Sequence, residues 1–325
     1  MTFCQPFAWF LLTATLLAGC TRQPATDADG PVSMTWTDIS GEYRLSEGME
    51  IFEGADEAAP LKAWMARVDV LRDDISVEVV ASADSDGRES VSDMVQDRGA
   101  CLGVNGGYFL QNDDVFEHIG LLIANGEFVH SATHGIFVDD VRHELRRAAI
   151  GFDDRDVPVV GWVSSQQDSA FWWSVPFDPS EQLAASDTTS IPDSLETSLP
   201  IGLYQSVQDA VAAGPAILKD GKHFIPVEEE VFFHTTIPDV HPRTAAGYDS
   251  EGRLLLLVVD GRQGDSRGVS LEELADLMLE FGATDALNLD GGGSSTFVVR
   301  DELLNEPSGG TYQREVVSGI VVHCP

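Results

Sequence analysis

The chain has 325 residues, 43% of them hydrophobic, enough for one large domain with a substantial core. Its formal net charge of −35, from 54 acidic residues against 19 Lys and Arg, excludes nucleic acid as a partner, because backbone phosphates would be repelled. Lysine occurs only at Lys62, Lys219 and Lys222, and so acidic a surface is expected of a protein working in high salt, where screening relieves self-repulsion.

In chain order, residues 1–19 read as a processing signal. Phe7 to Leu17 is apolar but too short to span a bilayer as a helix. It ends in Leu17-Ala18-Gly19-Cys20, which resembles the bacterial lipoprotein box and implies a lipid on Cys20, although no Lys or Arg precedes the apolar stretch. Residues 20–34, rich in Thr, Ala, Asp, Gly and Pro, are expected to be a flexible tether. The expected partners therefore include a membrane held through Cys20, and the expected location is the cell envelope, facing the periplasm or exterior. Residues 35–325 are expected to form a single, monomeric domain.

Within that domain Ser90, Ser206 and Ser270 each read as the cap of a short helix leading into a strand. Ala100–Val104 is a short apolar strand ending in Asn105-Gly106-Gly107, and Glu117-His118 follow as a possible acid or base for the same region. His130 and His134 have metal-ligand spacing but sit in a loop-like sequence without a third ligand, and read as loop or core histidines. Residues 164–200 look like a surface insertion in which Phe171, Trp172 and Trp173 are either a hydrophobic anchor, the preferred reading, or a carbohydrate-stacking platform, and the run Glu228-Glu229-Glu230 reads as a solvated face. Arg243 and Thr244 begin another strand-like segment, where a guanidinium fork suits a bidentate phosphate or carboxylate.

The densest signal is carboxyl-terminal. Leu254–Val259 is a continuous apolar run, expected to be a strand buried on both faces, and it ends at Asp260. Ser270 with Glu273 makes a capping box for a helix carrying Leu271, Leu274, Leu277, Met278 and Phe281, with Gly282 as its stop. Strand Asp285–Leu289 follows, then Asp290, Gly291, Gly292, Gly293, Ser294 and Ser295. Glycines without Cβ atoms leave backbone N–H groups open to a ligand, and the hydroxyls add further donors. Strand, helix, strand predicts an α/β or α+β fold: one large domain whose mixed sheet contains at least one right-handed βαβ crossover. Such a crossover places Asp260 and Asp290 on one sheet edge, over one crevice. Cys101 and Cys324 are the cysteines left once Cys4 is cleaved away and Cys20 lipidated, and outside the cytoplasm their pairing is permitted.

The segments Val104–Phe109, Ala213–Gly221, Pro242–Gly247, Val259–Arg262 and Leu287–Ser295 occur in the order, and with the motifs, of the phosphodiester glycosidase family. The chain resembles that family over roughly residues 100–322, about two-thirds of its length. The resemblance implies a hydrolase that cleaves the glycosidic C–O bond of a sugar-1-phosphodiester. On this reading Asp290 faces the anomeric carbon, while Arg243 and the N–H groups of Gly291 to Gly293 hold the phosphate. Asn105, Gly106, Gly107, Thr244, Ser294, Ser295, Glu117 and His118 are candidate substrate contacts, and Asp260 assists. No cofactor is required. Two other readings use the same pocket: a non-catalytic binder of anionic glycans, and a phosphodiesterase that cuts P–O with a divalent cation held by Asp260 and Asp290.

Overall fold

The computed structural model describes residues 32–177, 207–308 and 312–325. The expected α/β or α+β architecture with a right-handed βαβ crossover is overturned. Strands hold 45% of the chain and helices 9%, with two α-helices among the described residues, so the fold is β-rich. Every strand pair described is antiparallel.

The largest sheet has eight strands, ordered Thr35–Asp38, Met49–Asp56, Leu61–Val68, Leu254–Val259, Arg243–Asp249, Ala283–Asn288, Ala216–Lys219 and Lys222–His223. The apolar run Leu254–Val259 explains the misreading. It is buried on both faces as expected, but by different neighbours. Leu255, Leu257 and Val259 pack under helix α2 (Leu271–Glu280), while Leu254, Leu256 and Val258 join a core that includes Leu102, Ile150, Trp162 and Val211. A strand sandwiched between a helix and a second sheet layer is continuously hydrophobic whichever way its neighbours run. Helix α2 itself has the capping box read from Ser270 and Glu273, and Gly282 at φ +81° ends it.

A six-stranded sheet is ordered Ser169–Trp173, Pro158–Gln166, Arg147–Phe152, Asp209–Ala212, Leu122–Ala124 and Glu127–His130. Residues 164–173 of the expected insertion thus form strands of a regular sheet, with Trp172 2% exposed as a core anchor. Residues 178–200 lie outside the described residues, as do Cys20 and the signal and tether segments up to residue 31. The helix expected after Ser206 is absent: Asp209–Ala212 is a strand. A five-stranded sheet, Glu302–Leu303, Phe297–Val299, Leu102–Asn105, Ser318–His323 and Ser76–Ala81, carries helix α1 (Val91–Arg98), capped by Ser90. Cys101 precedes one of its strands and Cys324 follows another, and the two are joined in a disulfide.

Antiparallel pairing still brings the two aspartates together. Arg243–Asp249 lies between Leu254–Val259 and Ala283–Asn288 and runs against both, with Arg243 opposite Val259 and Ala245 opposite Asn288. The two outer strands therefore end at the same sheet edge, where the middle one begins. Asp260, Asp290 and Arg243 are delivered there by topology alone.

Candidate active site

The loop after Ala283–Asn288 is tied down before it can hold anything. The Asp290 N–H donates to Gly106 O at 3.0 Å, and Asn105 Nδ2 donates to Asp290 O at 2.7 Å. Asn105 Oδ1 accepts from Thr244 Oγ1 at 2.7 Å and from the Thr296 N–H at 3.2 Å. Asn105 and Thr244 are fully buried, so both brace the Asp290 loop from behind. Gly106 and Gly107 serve packing: a Cβ on Gly106 would meet Ser318 Oγ at 2.4 Å, and one on Gly107 would meet Ala212 O at 2.2 Å.

In front of the loop lies a cleft of about 150 Å³, lined by Tyr108, Thr236, Ile237, His241, Arg243, Arg262, Asn288, Asp290, Gly291 to Gly293 and Arg314. Asp290 is the one carboxylate in this lining. Its Oδ1 accepts the Gly291 N–H at 2.9 Å. Burial raises its pKa to about 6; hydrogen bonds from Ser294 and Gly291 and the nearby Arg314 charge pull the other way without cancelling the shift. Asp260 is also raised to about 6 by burial, but its carboxylate accepts from Asn305 Nδ2 at 2.9 Å and the Glu306 N–H at 3.0 Å. It anchors the segment after Glu302–Leu303 and does not line the cleft.

Arg243 departs from the expected open fork. It is 2% exposed, and four of its five donors are committed: Nε to Val269 O at 3.2 Å, Nη1 to Asn288 Oδ1 at 3.3 Å, and Nη2 to Ile237 O and Asp239 O. Burial lowers its pKa to about 10, so it remains charged at neutral pH. At most one N–H is left for a ligand. Arg243→Lys is therefore expected to destabilise the fold by about 2–4 kcal/mol, since lysine cannot reach three carbonyls and the Asn288 amide together. Chemical denaturation checks this, and an unchanged midpoint contradicts it.

Of the exposed cations of the cleft, Arg262 closes the Val259–Arg262 segment but has no role in the sequence reading, and Arg314 is absent from it. A Cβ on Gly292 (φ +64°) would lie 3.1 Å from Arg262 Nη1, and one on Gly293 would lie 2.6 Å from Arg314 Nη2. The glycines thus let two guanidiniums lie flat against the loop. Arg262 Nη2 donates to His241 Nδ1 at 3.0 Å, and His241 Nε2 meets Thr236 O at 2.7 Å. That pairing fixes a neutral imidazole, whose pKa burial lowers further. The Gly291 and Gly292 amides are committed to Asp290 Oδ1 and Pro242 O, so the loop offers a ligand at most the Gly293 amide. Ser294 Oγ accepts from Arg314 Nη1 at 3.5 Å, and Ser295 Oγ is buried with no partner among the described residues.

Asn288 Nδ2 donates to Tyr108 Oη at 2.8 Å, and Tyr108 Oη donates to Gly214 O at 2.7 Å. Burial pushes the Tyr108 phenol upward, so it stays neutral. Behind Gly214 sits Glu230, which corrects the reading of Glu228-Glu229-Glu230 as a solvated face. It is fully buried, accepts from the Ala148 and Ala216 amides and Trp162 Nε1 at 2.9 Å each, and has a pKa raised by burial to about 7. His118 is buried against Ser318 Oγ, with its pKa lowered by burial to about 3, and Glu117 is exposed on a hairpin. Neither lines the cleft. His130 closes a strand and His134 precedes one; no group of three His, Cys, Asp or Glu among the described residues is placed to hold a metal ion.

The sequence profile of phosphodiester glycosidases matches residues 98–323. The chain belongs to the phosphodiester glycosidase family. Among curated relatives, mouse N-acetylglucosamine-1-phosphodiester alpha-N-acetylglucosaminidase is 27% identical over 221 residues, 68% of this chain and 36% of the relative. The bovine enzyme of the same name is 43% identical over 81 residues, 25% of this chain and 15% of the relative. The chain thus spans well under half the length of either. The zebrafish catalytic domain, solved in a form auto-inhibited by its pro-peptide, superposes with a TM-score of 0.59 at 24% identity, covering 92% of this chain and 90% of that one. The likeness shows that this family member shares that domain's fold.

If Asp290 must be ionised to act, kcat/KM should rise with pH through an apparent pKa of about 6 and fall about tenfold per unit below it. A profile flat from about pH 4.5 to 7.5 contradicts the assignment.

Proposed function

We propose that the protein hydrolyses the glycosidic C–O bond of a sugar-1-phosphodiester, releasing the sugar and leaving a phosphomonoester on the other partner. The observation that carries the reading is a cleft with one carboxylate, Asp290, facing three guanidiniums. Hydrolysis of a sugar ether usually needs two carboxylates, one of them an acid that protonates the leaving oxygen. A phosphoryl oxygen leaves as a stable anion, so one carboxylate is enough if cations receive the charge. In this mechanism Asp290 supports the oxocarbenium-like transition state, as nucleophile or by activating water. Arg262 and Arg314 hold the phosphoryl oxygens, and Arg243 adds its charge and one N–H from below. Asn105, Thr244 and Asp260 are positioning residues.

The alternative that cuts P–O with a divalent cation has less support, because Asp260 is turned to Asn305 and Glu306. A pure binder has no use for a half-buried carboxylate amid phosphate-binding cations, which lowers anion affinity. The test is phosphorus NMR of the protein with a sugar-1-phosphodiester. A phosphomonoester resonance growing in step with reducing sugar supports the proposal; no change over a full panel of sugars contradicts it.

We further propose that Cys20 is lipidated and holds the enzyme on the cell envelope, with the charge-screened exterior as its working medium. The expected outcome for Cys20→Ser is release into the soluble fraction. Recovery of the wild-type protein as fully soluble, with Met1 retained, contradicts it.

A further inference from the structure

Many of this protein's arginines are matched with acid. Arg67, Arg72, Arg88, Arg98, Arg253 and Arg267 each lie 2.5–3.3 Å from a carboxylate. In a chain with 54 acidic residues that is the expected fate of a cation. Arg243, Arg262 and Arg314 make no ion pair among the described residues; Arg147 and Arg300 make none either, but they lie apart, over Phe232 and on backbone carbonyls, whereas these three line one cleft. Arg243 achieves this while 2% exposed, its charge solvated by neutral carbonyls and an amide. The other titratable groups facing the cleft are Asp290, Tyr108 and His241. Tyr108 is a neutral phenol, and His241 is a neutral imidazole because Nδ1 accepts from Arg262. Asp239 and Glu272 lie outside the lining and act on Arg243 through space; within the lining itself three guanidiniums stand against one ionised carboxylate, a surplus of two positive charges.

A phosphodiester carries one negative charge, whereas a phosphomonoester approaches two at neutral pH, with a second pKa of about 6. The proposed hydrolysis converts one into the other. The C1–O bond breaks with both electrons remaining on the phosphoryl oxygen, water supplies hydroxyl to C1, and its proton leaves to solvent. We infer that the cleft is charge-matched to the phosphomonoester dianion, so that the reaction's product binds it more tightly than the diester substrate and holds turnover back until it departs. The inference rests on the hydrolase reading. The same surplus that stabilises charge developing on the leaving oxygen must also retain the product that bears it.

The experiment is calorimetric titration of the full protein with two small probes, methyl phosphate and dimethyl phosphate, at about pH 7.5 and about pH 5. At the higher pH the monoester should bind about tenfold more tightly than the diester. At the lower pH it becomes a monoanion, and the ratio should fall to about threefold or less. At the lower pH both probes are monoanions, so protonation of Asp290 strengthens them alike and the ratio there reports the loss of the monoester's second charge. Arg314→Gln, a change at an exposed side chain, should narrow the ratio at the higher pH. Equal affinities at the higher pH, or a ratio that ignores pH, overturn the inference. Turnover of a sugar phosphodiester with equal affinities overturns it alone. Selective monoester binding without any turnover overturns the hydrolase reading and supports the dianion site.

Discussion

Asp290→Asn should lower kcat by about a thousandfold or more while making the protein more stable at neutral pH. The rate loss follows from removing the single negative charge in the cleft, which no neighbour replaces, because Asp260 is engaged with Asn305 and Glu306. Asn Oδ1 can still accept the Gly291 N–H, and the loop remains tied through Asn105 and Gly106, so the geometry should survive. The stability gain follows from linkage. The folded pKa of about 6 lies above the ordinary 3.8, so between those values the folded state binds more protons than the unfolded one. Stability contributed by this group is therefore lost as pH rises from about 4 through 6, and an ionised Asp290 costs on the order of 1–3 kcal/mol above that range. Asparagine removes the cost. Melting temperatures of the two proteins should converge near pH 4 and separate near pH 7.5, with the variant higher. A folded variant retaining a third of wild-type turnover contradicts the catalytic role, and a variant less stable at every pH contradicts the electrostatic explanation.

Arg314→Gln should reduce kcat/KM by about a hundredfold with a melting temperature within about 1–2 °C of wild type. The side chain is exposed, has no carboxylate partner among the described residues, and touches the protein through Ser294 Oγ and the flat face of Gly293. Its loss leaves no buried group unpaired. Gly293→Ala tests the same contact from the other side: the new Cβ would lie 2.6 Å from Arg314 Nη2, and the flexible end of that side chain can swing away without unfolding the loop. Both variants should show the same kinetic defect and the double variant little more, because they remove one interaction. Additive losses, or a collapse in stability, would show that Arg314 supports the fold instead of the phosphate.

The contrast between Arg243 and Arg314 shows where sequence reasoning stopped. Arg243 stood out because it opens a strand beside a family motif, yet its donors are mostly committed to protein. Arg314 sits in a polar stretch with no periodicity, and only its seat against Gly293 marks it. The glycine triplet stood out in the sequence, and the structure puts it on the wall of the cleft. Sequence could not show that its glycines admit guanidiniums instead of baring amides.

The fold divides similarly. Helix α2 and the strand before it followed from an apolar run, a capping box and a glycine stop, whereas the shared edge of Asp260 and Asp290 comes from antiparallel pairing with Arg243–Asp249 and not from the expected crossover. The α/β class did not follow, because burial on both faces does not fix strand direction. The overlooked cue was turn chemistry. Asn125-Gly126 and Asp139-Asp140 have positive φ at both positions and link hairpin strands. Glu230 was hidden for another reason: its two acidic neighbours made it look solvated, whereas it closes the interior around Ala148, Ala216 and Trp162.

The position of bond cleavage tests the proposed chemistry most directly. Hydrolysis of a sugar-1-phosphodiester in ¹⁸O-labelled water should place the label on the anomeric hydroxyl of the released sugar and none on the phosphomonoester. Label on the phosphoryl group would mean attack at phosphorus, and would contradict the roles proposed for Asp290 and the three arginines around it.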